Sequence, residues 1–159
     1  MVDKLSARAL QVQQALEAHG VDLHVIELPD STRTAGEAAQ AVGCEVGQIV
    51  KSLIFKGRQT RRPYLVLVSG ANRVDEKKLR QVVGEKIGKA NADFVRAHTG
   101  FAIGGVSPVG HKEPLATFID EDLLLYDQLW AAAGTPHAVF ALTPADLQQL
   151  TGGQVVAIR

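Results

Sequence analysis

Two features of the sequence together suggest a reaction site: a lysine inside an apolar strand pattern, and a loop rich in glycine. Lys51 lies within the run Ile49–Phe55, whose other residues are apolar except for Ser52. The loop 100–110 reads GFAIGGVSPVG, with four glycines and one proline. Glycine is costly to order, so it persists where the backbone takes a positive φ or approaches a neighbour closely. Such a loop can direct N–H groups at an anion or oxyanion, and the lysine adds a positive charge.

Each feature also has a purely structural explanation. Strand alternation places Lys51 with Ile49, Leu53 and Phe55 on one face, and both faces of the strand are mainly apolar. A lysine there needs a partner, unless its stem is buried and its ammonium reaches solvent at a strand end. The glycines can equally turn a corner of a sheet. We favour a site because two independent pocket-like signals occur in one chain.

Residues typical of covalent or metal-dependent catalysis are scattered along the chain. No two histidines have the i, i+4 spacing of a metal site on a helix; the five are His19, His24, His98, His111 and His137. The single cysteine, Cys44, makes neither an internal disulfide nor a metal-binding pair. No G-x-S-x-G motif is present. A cation and oriented N–H groups remain, and these suit hydrolysis of a reactive ester by water without metal, cofactor or protein nucleophile.

Composition indicates one globular domain spanning residues 1–159. The chain is 46% hydrophobic and 21% charged, with 17 basic against 17 acidic side chains. The zero net charge disfavours binding of nucleic acid across a large surface. A polyanion would therefore have to bind at a local patch of positive charge. No stretch approaches the roughly 20 apolar residues that span a bilayer, and residues 1–6 lack the apolar core of a signal peptide. We therefore expect a cytoplasmic protein with no membrane partner.

Short helices and longer strands are spaced irregularly along the chain. Helical spacing and caps predict helices at 6–18, 35–42, 76–83, 92–98 and 144–150; the second is expected to be capped by Thr34 and ended by Gly43. Apolar runs predict strands at 23–28, 49–55, 63–69, 115–119, 126–129, 137–142 and 154–158. The basic loop 56–62 joins two of these strands in a predicted hairpin. Because a regular βαβ alternation is absent, the pattern favours an α+β fold around a mixed, barrel-like β-sheet with short surrounding helices.

Four segments carry a family resemblance that runs through nearly the whole chain. They are TAGEAA at 34–39, QIVKSLIF at 48–55, LVLVSG at 65–70 followed by Val74-Asp75, and G-x-x-x-G-G-V-x-P-x-G at 100–110. They resemble the YbaK/ProX family of free-standing aminoacyl-tRNA deacylases, which is related to the editing domain of bacterial prolyl-tRNA synthetases. The resemblance implies a mixed, barrel-like fold with a pocket between Lys51 and the glycine loop. It also implies hydrolysis of the ester joining a wrong amino acid to the 3′ end of tRNA, with a hydroxyl of the terminal ribose available to orient water.

The resemblance also implies roles for individual residues. Lys51 would contact the phosphate of the terminal adenosine or the aminoacyl carbonyl, and the amides of Gly104 and Gly105 would line the ester. Further substrate-binding positions in the matching segments are Thr34, Ser52, Ser69, Gly100, Pro108 and Gly110. Ser52 stands where some relatives tune specificity, although strand alternation turns it to the face opposite Lys51. His137 lies in a loop where some relatives carry a pocket histidine, but its local pattern departs from theirs.

The partner that this resemblance implies is misacylated tRNA, with an aminoacyl-tRNA synthetase as a further candidate. The tRNA is expected to be tRNA(Pro) or a related one, carrying a small amino acid such as alanine, serine, cysteine or 2-aminobutyrate. Predicted contacts with phosphates of the acceptor stem are Lys56, Arg58, Arg61 and Arg62; a solvated hairpin tip is the alternative, because charged loops are common. Two other functions stay open: a non-catalytic module that binds a tRNA end or nucleotide, and an ordinary esterase, which the missing nucleophile disfavours.

Overall fold

Strands of both orientations form one sheet in a computed structural model of the chain, which describes residues 5–159. Its eight strands in this range are β1 (Val25–Glu27), β2 (Ile49–Gly57), β3 (Pro63–Ser69), β4 (Ile87–Lys89), β5 (Ala116–Asp120), β6 (Leu129–Ala132), β7 (Ala138–Leu142) and β8 (Gln154–Val156). The strand order is β1-β7-β6-β2-β3-β5-β8, with β4 also beside β2. The neighbours β2 and β3 are antiparallel, whereas β3 and β5 are parallel. The sheet is mixed, as predicted, and it is open because its end strands β1 and β8 are not paired with each other.

Five α-helices are found in the described range, and together with the sheet they confirm the α+β class. They are α1 (Ala7–Ala18), α2 (Ala35–Val42), α3 (Glu76–Val83), α4 (Ala92–Thr99) and α5 (Pro144–Thr151). The start of α2 follows directly from sequence, because the Thr34 hydroxyl accepts a hydrogen bond from the Glu37 N–H at 3.1 Å. Gly43 ends the same helix at φ +75°, a conformation that glycine adopts readily. Residues 1–4 of the predicted domain lie outside the described part.

The central β2–β3 hairpin is confirmed, and both of its faces are buried. Val50 and Ile54 of β2 belong to the main hydrophobic cluster. Phe55 of the same strand belongs to a second cluster on the opposite face, with Tyr64 and Val66 of β3. A lysine in the middle of β2 is therefore covered on two sides, as its sequence context predicts. Within the described residues, no helix is long and apolar enough to cross a membrane.

Two strands differ most from the sequence prediction. The strand predicted at 126–129 is instead β6, three residues further on, because the Asp120 carboxylate caps a 3₁₀ helix, Glu121–Leu125, through the Asp122 N–H at 3.0 Å. Strand β4 was not predicted at all. It has only three residues, one of them Gly88, and so shows no readable alternation.

Candidate active site

The sheet is interrupted beside β2, and a cavity opens at the interruption. Strand β3 borders β2 along its whole length. On the other side, β6 pairs only with Ile49 and Val50, and β4 pairs only with residues 55–57. Between them, residues 51–53 have no strand neighbour on that side within the described range. A cavity of about 520 Å³ lies here, within the volume range of small-molecule sites.

The interruption leaves backbone groups of Ser52 facing the cavity. The Ile49 carbonyl accepts from the Gly70 N–H beyond β3, and the Ile54 carbonyl accepts from the Ala90 N–H beyond β4. Backbone groups in a strand alternate in direction, so even-numbered residues of β2 point away from β3. The N–H and C=O of Ser52 are therefore directed into the interruption. The Ser52 hydroxyl is buried and has no hydrogen-bond partner within residues 5–159.

The lining of the cavity is largely apolar and carries positive charge without negative charge. Its cations are Arg33, Lys51 and Lys89, and no aspartate, glutamate, histidine or cysteine lines it within the described residues. An anionic ligand is favoured in such a cavity because no carboxylate opposes it. The lining within the described residues holds the hydroxyls of Thr32, Thr34 and Ser52, but no carboxylate or imidazole that could act as a general base beside them.

Lys51 is anchored on the side of the cavity towards β3. Its ammonium donates a hydrogen bond of 2.5 Å to the Asn72 carbonyl oxygen. The Asn72 side-chain amide in turn donates to the carboxylates of Asp120 and Asp122, each at 2.8 Å. Burial lowers the pKa of Lys51 below its ordinary value of 10.5, the neighbouring Arg73 lowers it further, and Asp120 opposes both effects. The hydrogen-bond partner of the half-buried Lys51 ammonium is thus the backbone carbonyl of Asn72.

The glycine loop contributes a turn that leaves its central amide unpaired. The Gly105 N–H donates to the Ala102 carbonyl at 3.0 Å, which closes a four-residue turn. Gly104, in the third position, has φ +93°, the conformation that a type II turn demands of that position. In this turn the middle peptide is flipped, so the Gly104 N–H points away from the closing hydrogen bond. Gly104 lines the cavity, and its N–H has no hydrogen-bond partner within the described residues.

Gly105 is buried beneath the turn and does not line the cavity. A Cβ built on Gly105 would lie 3.0 Å from both the Cα and the N of Thr135. Its lack of a side chain therefore lets the glycine loop pack closely on the loop around Thr135. Because its N–H is used by the turn, Gly105 holds the loop in place, and Gly104 is the cavity-lining glycine whose N–H is unpaired in the described residues.

Four of the predicted site residues line the cavity together: Thr34, Lys51, Ser52 and Gly104. The remaining predicted substrate-binding residues lie outside its lining; they are Ser69, Gly100, Pro108, Gly110 and His137. Ser69 has a structural contact instead, since its buried hydroxyl donates to the Gly47 carbonyl at 2.7 Å. Gly100 ends α4 at φ +84°. His137 is exposed, with its Nδ1 3.1 Å from the Asp30 carbonyl oxygen.

The predicted tRNA-binding cations gather at the turn end of the β2–β3 hairpin. Arg58, Arg61 and Arg62 are exposed there. Lys56 is half-buried, and its ammonium lies 4.9 Å from the centroid of the Phe94 ring, a cation–π distance. The hairpin is thereby connected to α4, the helix that leads into the glycine loop.

A buried carboxylate holds the turn of this hairpin. One Glu85 oxygen accepts from the N–H groups of Gln59 and Thr60 at 2.9 and 3.1 Å. The other accepts from the hydroxyls of Thr60 and Tyr64, both at 2.6 Å. These hydrogen bonds, those of the Thr60 and Tyr64 hydroxyls first, lower the pKa of the Glu85 carboxyl from 4.5 to about 2. Glu85 has no clear sequence signal, because its partners belong to a different segment.

Replacing Glu85 with glutamine is expected to lower thermal stability most at neutral pH. A depressed folded-state pKa contributes stability that is complete above pH 4.5 and is lost as the pH falls towards 2. The melting temperatures of wild type and Glu85→Gln should therefore converge as the pH falls through this window. Circular dichroism melts at a series of pH values test this, and a constant difference from pH 7 to pH 2.5 would contradict it.

The comparisons with known proteins agree with this geometry. A family model described as an aminoacyl-tRNA editing domain matches residues 29–150, which include the cavity and the glycine loop. The chain belongs to this family. Editing-domain relatives include a protein of Enterococcus faecalis, EbsC, named as a candidate Cys-tRNA(Pro)/Cys-tRNA(Cys) deacylase, which is 28% identical over 99% of this chain and 98% of its own.

Two further relatives place the editing domain in different contexts. A crystal structure of a candidate trans-editing enzyme for prolyl-tRNA synthetase superposes with a TM-score of 0.93 at 56% identity, over 98% of this chain and 99% of that one. A proline–tRNA ligase of Limosilactobacillus fermentum is 31% identical over 57% of this chain but only 16% of the ligase. The editing domain thus occurs both as a protein of this size and as a segment of a much longer synthetase.

Proposed function

We propose that this protein hydrolyses the ester bond between a small, wrongly attached amino acid and the 3′ end of a tRNA. The observation that carries the proposal is the unpaired N–H of Gly104, a residue that lines a cavity whose described lining has three cations and no carboxylate. An amide in this position can stabilise the negative charge that forms on the carbonyl oxygen during hydrolysis. The apolar lining offers surface for a nucleoside and a small side chain.

The chemistry requires water and no covalent intermediate with the protein. Water adds to the ester carbonyl carbon, and the carbonyl oxygen takes the negative charge next to the Gly104 N–H. The carbon–oxygen bond to the ribose then breaks, releasing the amino acid and a ribose hydroxyl that regains its proton. The cavity lining within the described range supplies no carboxylate or imidazole base. The proton of the attacking water therefore passes to solvent or to the leaving ribose oxygen, and the free ribose hydroxyl can relay it by giving up its own proton as it accepts another.

Lys51 and the free backbone groups of Ser52 position the substrate in this proposal. The Lys51 ammonium adds positive charge at the cavity wall opposite the interruption of the sheet, where it favours the developing oxyanion. The Ser52 N–H and C=O can each hydrogen-bond to a substrate that enters beside β2, as an added strand would. The Ser52 hydroxyl lies on the face of β2 opposite Lys51. In this proposal it is among the groups that surround the side chain of the attached amino acid.

Editing is needed because synthesis discriminates weakly between similar amino acids. One methylene in an apolar pocket is worth only about 1–3 kcal/mol, so a second site must remove smaller or isosteric amino acids. We propose that the substrate is tRNA(Pro), or a related tRNA, that carries such an amino acid. Prolyl-tRNA synthetase is the proposed partner, because the same domain occurs as a segment of proline–tRNA ligases.

The decisive experiment is turnover on a panel of tRNAs carrying different amino acids. We expect multiple turnovers with one or more of Ala-, Ser-, Cys- and 2-aminobutyryl-tRNA(Pro), and little hydrolysis of Pro-tRNA(Pro). A non-catalytic binding module would instead give saturable binding without release of amino acid. An ordinary esterase would hydrolyse simple amino-acid esters as fast as tRNA esters.

The hairpin cations give a separate prediction about tRNA affinity. Replacing Arg58, Arg61 and Arg62 with alanine is expected to weaken tRNA binding and to flatten its salt dependence. Each lost phosphate contact reduces the magnitude of the slope of log K against log [salt] by up to about 0.9. Filter binding or fluorescence titration at several salt concentrations measures this slope. The matched control is a variant with alanine at Lys77 and Arg80, which are exposed on α3. An unchanged slope in the triple variant would show that the hairpin cations contact solvent and not tRNA.

A further inference from the structure

Arg33 lies at the mouth of the cavity, directly on the glycine turn. A Cβ built on Gly104 would lie 2.8 Å from Arg33 Cγ, 3.3 Å from Cδ and 3.1 Å from Nε. The whole stem of the arginine therefore packs on the bare backbone of Gly104. Arg33 belongs to the cavity lining, and it is exposed to solvent.

The backbone on both sides of Arg33 is fixed. Thr32 is only 5% exposed, and its N–H and hydroxyl both donate to the Pro136 carbonyl, at 2.6 and 3.0 Å. Thr34 caps the first turn of α2. Arg33 is thus held between two anchored residues, which reduces the entropy that its backbone loses when a ligand binds.

The charge of Arg33 is not used within the described part of the protein. No ion pair joins Arg33 to a carboxylate in residues 5–159, and none of the cavity lining is acidic. The ammonium of Lys51 already donates to the Asn72 carbonyl. The N-terminus of α2 opens at the same mouth, because Thr34 and Ala35 line the cavity, and helix N-termini favour anions.

We propose that Arg33 binds a phosphate at the 3′ end of the tRNA while its stem supports the Gly104 peptide. This inference rests on the proposed function. The phosphodiester on the 5′ side of the terminal adenosine is the nearest anion to an ester held at Gly104. A guanidinium presents a planar fork of donors that matches two phosphate oxygens, which a lysine cannot do. Arg33 would then link two contacts with the substrate. Its guanidinium would bind the backbone phosphate of the tRNA end, and its stem would support the Gly104 amide beside the ester.

Two small substrates separate these roles. Both carry alanine as an ester on the ribose 2′ or 3′ oxygen; one is built on adenosine, which has no phosphate, and the other on adenosine 5′-monophosphate. We expect the wild type to have a kcat/KM about 10- to 100-fold higher for the phosphate-bearing ester, the effect of a charge-assisted hydrogen-bonded pair. Arg33→Met, which keeps most of the stem and removes the charge, should abolish this preference and leave the phosphate-free ester within about threefold of wild type. Arg33→Lys should retain only part of the preference. Arg80→Met, on the exposed surface of α3, is the matched control and should change neither rate.

The outcomes distinguish the inference from the proposed function. If Arg33→Met keeps the preference for the phosphate-bearing ester, or lowers both rates equally with an unchanged melting temperature, Arg33 does not bind the phosphate and the inference is overturned. A wild type that deacylates tRNA but shows no preference between the two esters overturns it as well, and the proposed function stands. If the wild type hydrolyses neither the esters nor any misacylated tRNA, the proposed function fails and the inference fails with it.

Discussion

Alanine at Gly104 is expected to reduce kcat for deacylation by about 10²–10³-fold, the loss found when one oxyanion donor is removed. Gly104 has φ +93°, which an L-residue rarely adopts, and the added methyl would meet the Arg33 stem at 2.8 Å. The exposed Arg33 side chain can move aside, but the positive φ is relieved only by rotation of the Ile103–Gly104 peptide. That rotation turns the Gly104 N–H away from the cavity, and the substrate carbonyl loses its donor. Single-turnover rates at saturating enzyme measure the effect on chemistry without a contribution from binding.

Backbone strain alone must be separated from loss of the amide. Gly84 offers a matched control, because its φ is +90° and a Cβ built there meets nothing within 4 Å. Gly84→Ala and Gly104→Ala should both lower the free energy of unfolding by about 1–2 kcal/mol, the ordinary cost of a left-handed alanine. Only the second should lose activity. A folded Gly104→Ala protein that binds tRNA and keeps wild-type kcat would show that this amide does not stabilise the oxyanion.

Local signals in the sequence predicted most of the elements that support the site. The cap at Thr34, the left-handed Gly43 and the alternation of the β2–β3 hairpin are all short-range effects, and each was found where predicted. The interruption beside β2 was not predictable in this way. It exists because β6 and β4, which come from distant parts of the chain, pair with opposite ends of one strand. Pairings of that kind depend on the packing of the whole sheet.

The cavity was predicted in outline, and the residues that line it depend on tertiary contacts. Lys51 and Gly104 were singled out from residue type and spacing, and they do line one cavity. From the sequence, Gly104 and Gly105 were assigned the same role, because residue type does not show which of the two N–H groups makes the hydrogen bond of the turn. Arg33 was not predicted from the sequence, because its place at the cavity is defined by packing on Gly104, which is far away along the chain. Contacts of this kind are visible only once the glycine loop has been placed.

Replacing Lys51 with alanine is expected to preserve the fold and to reduce deacylation at least about tenfold, which corresponds to about 1.4 kcal/mol of lost transition-state stabilisation. The ammonium is the half-buried charge of the cavity wall, and burial strengthens its effect on a nearby oxyanion. Lys51→Met is the better first variant, because it fills the space of the stem and removes only the charge. Its kcat should fall while its melting temperature stays near that of the wild type.

The pH profile connects this loss to the ammonium itself. Burial and Arg73 lower the pKa of Lys51 below 10.5, so the enzyme-dependent rate should fall as the pH rises through a value below that of an ordinary lysine. Arginine stays charged over the whole accessible range, so Lys51→Arg should lose this alkaline limb even if its rate at pH 7 is reduced. Spontaneous ester hydrolysis also accelerates in alkali and must be subtracted at each pH. If wild type and Lys51→Arg share the same alkaline limb, or if Lys51→Met keeps full kcat, the charge of Lys51 has no part in the reaction, and the Gly104 amide would have to stabilise the oxyanion without it.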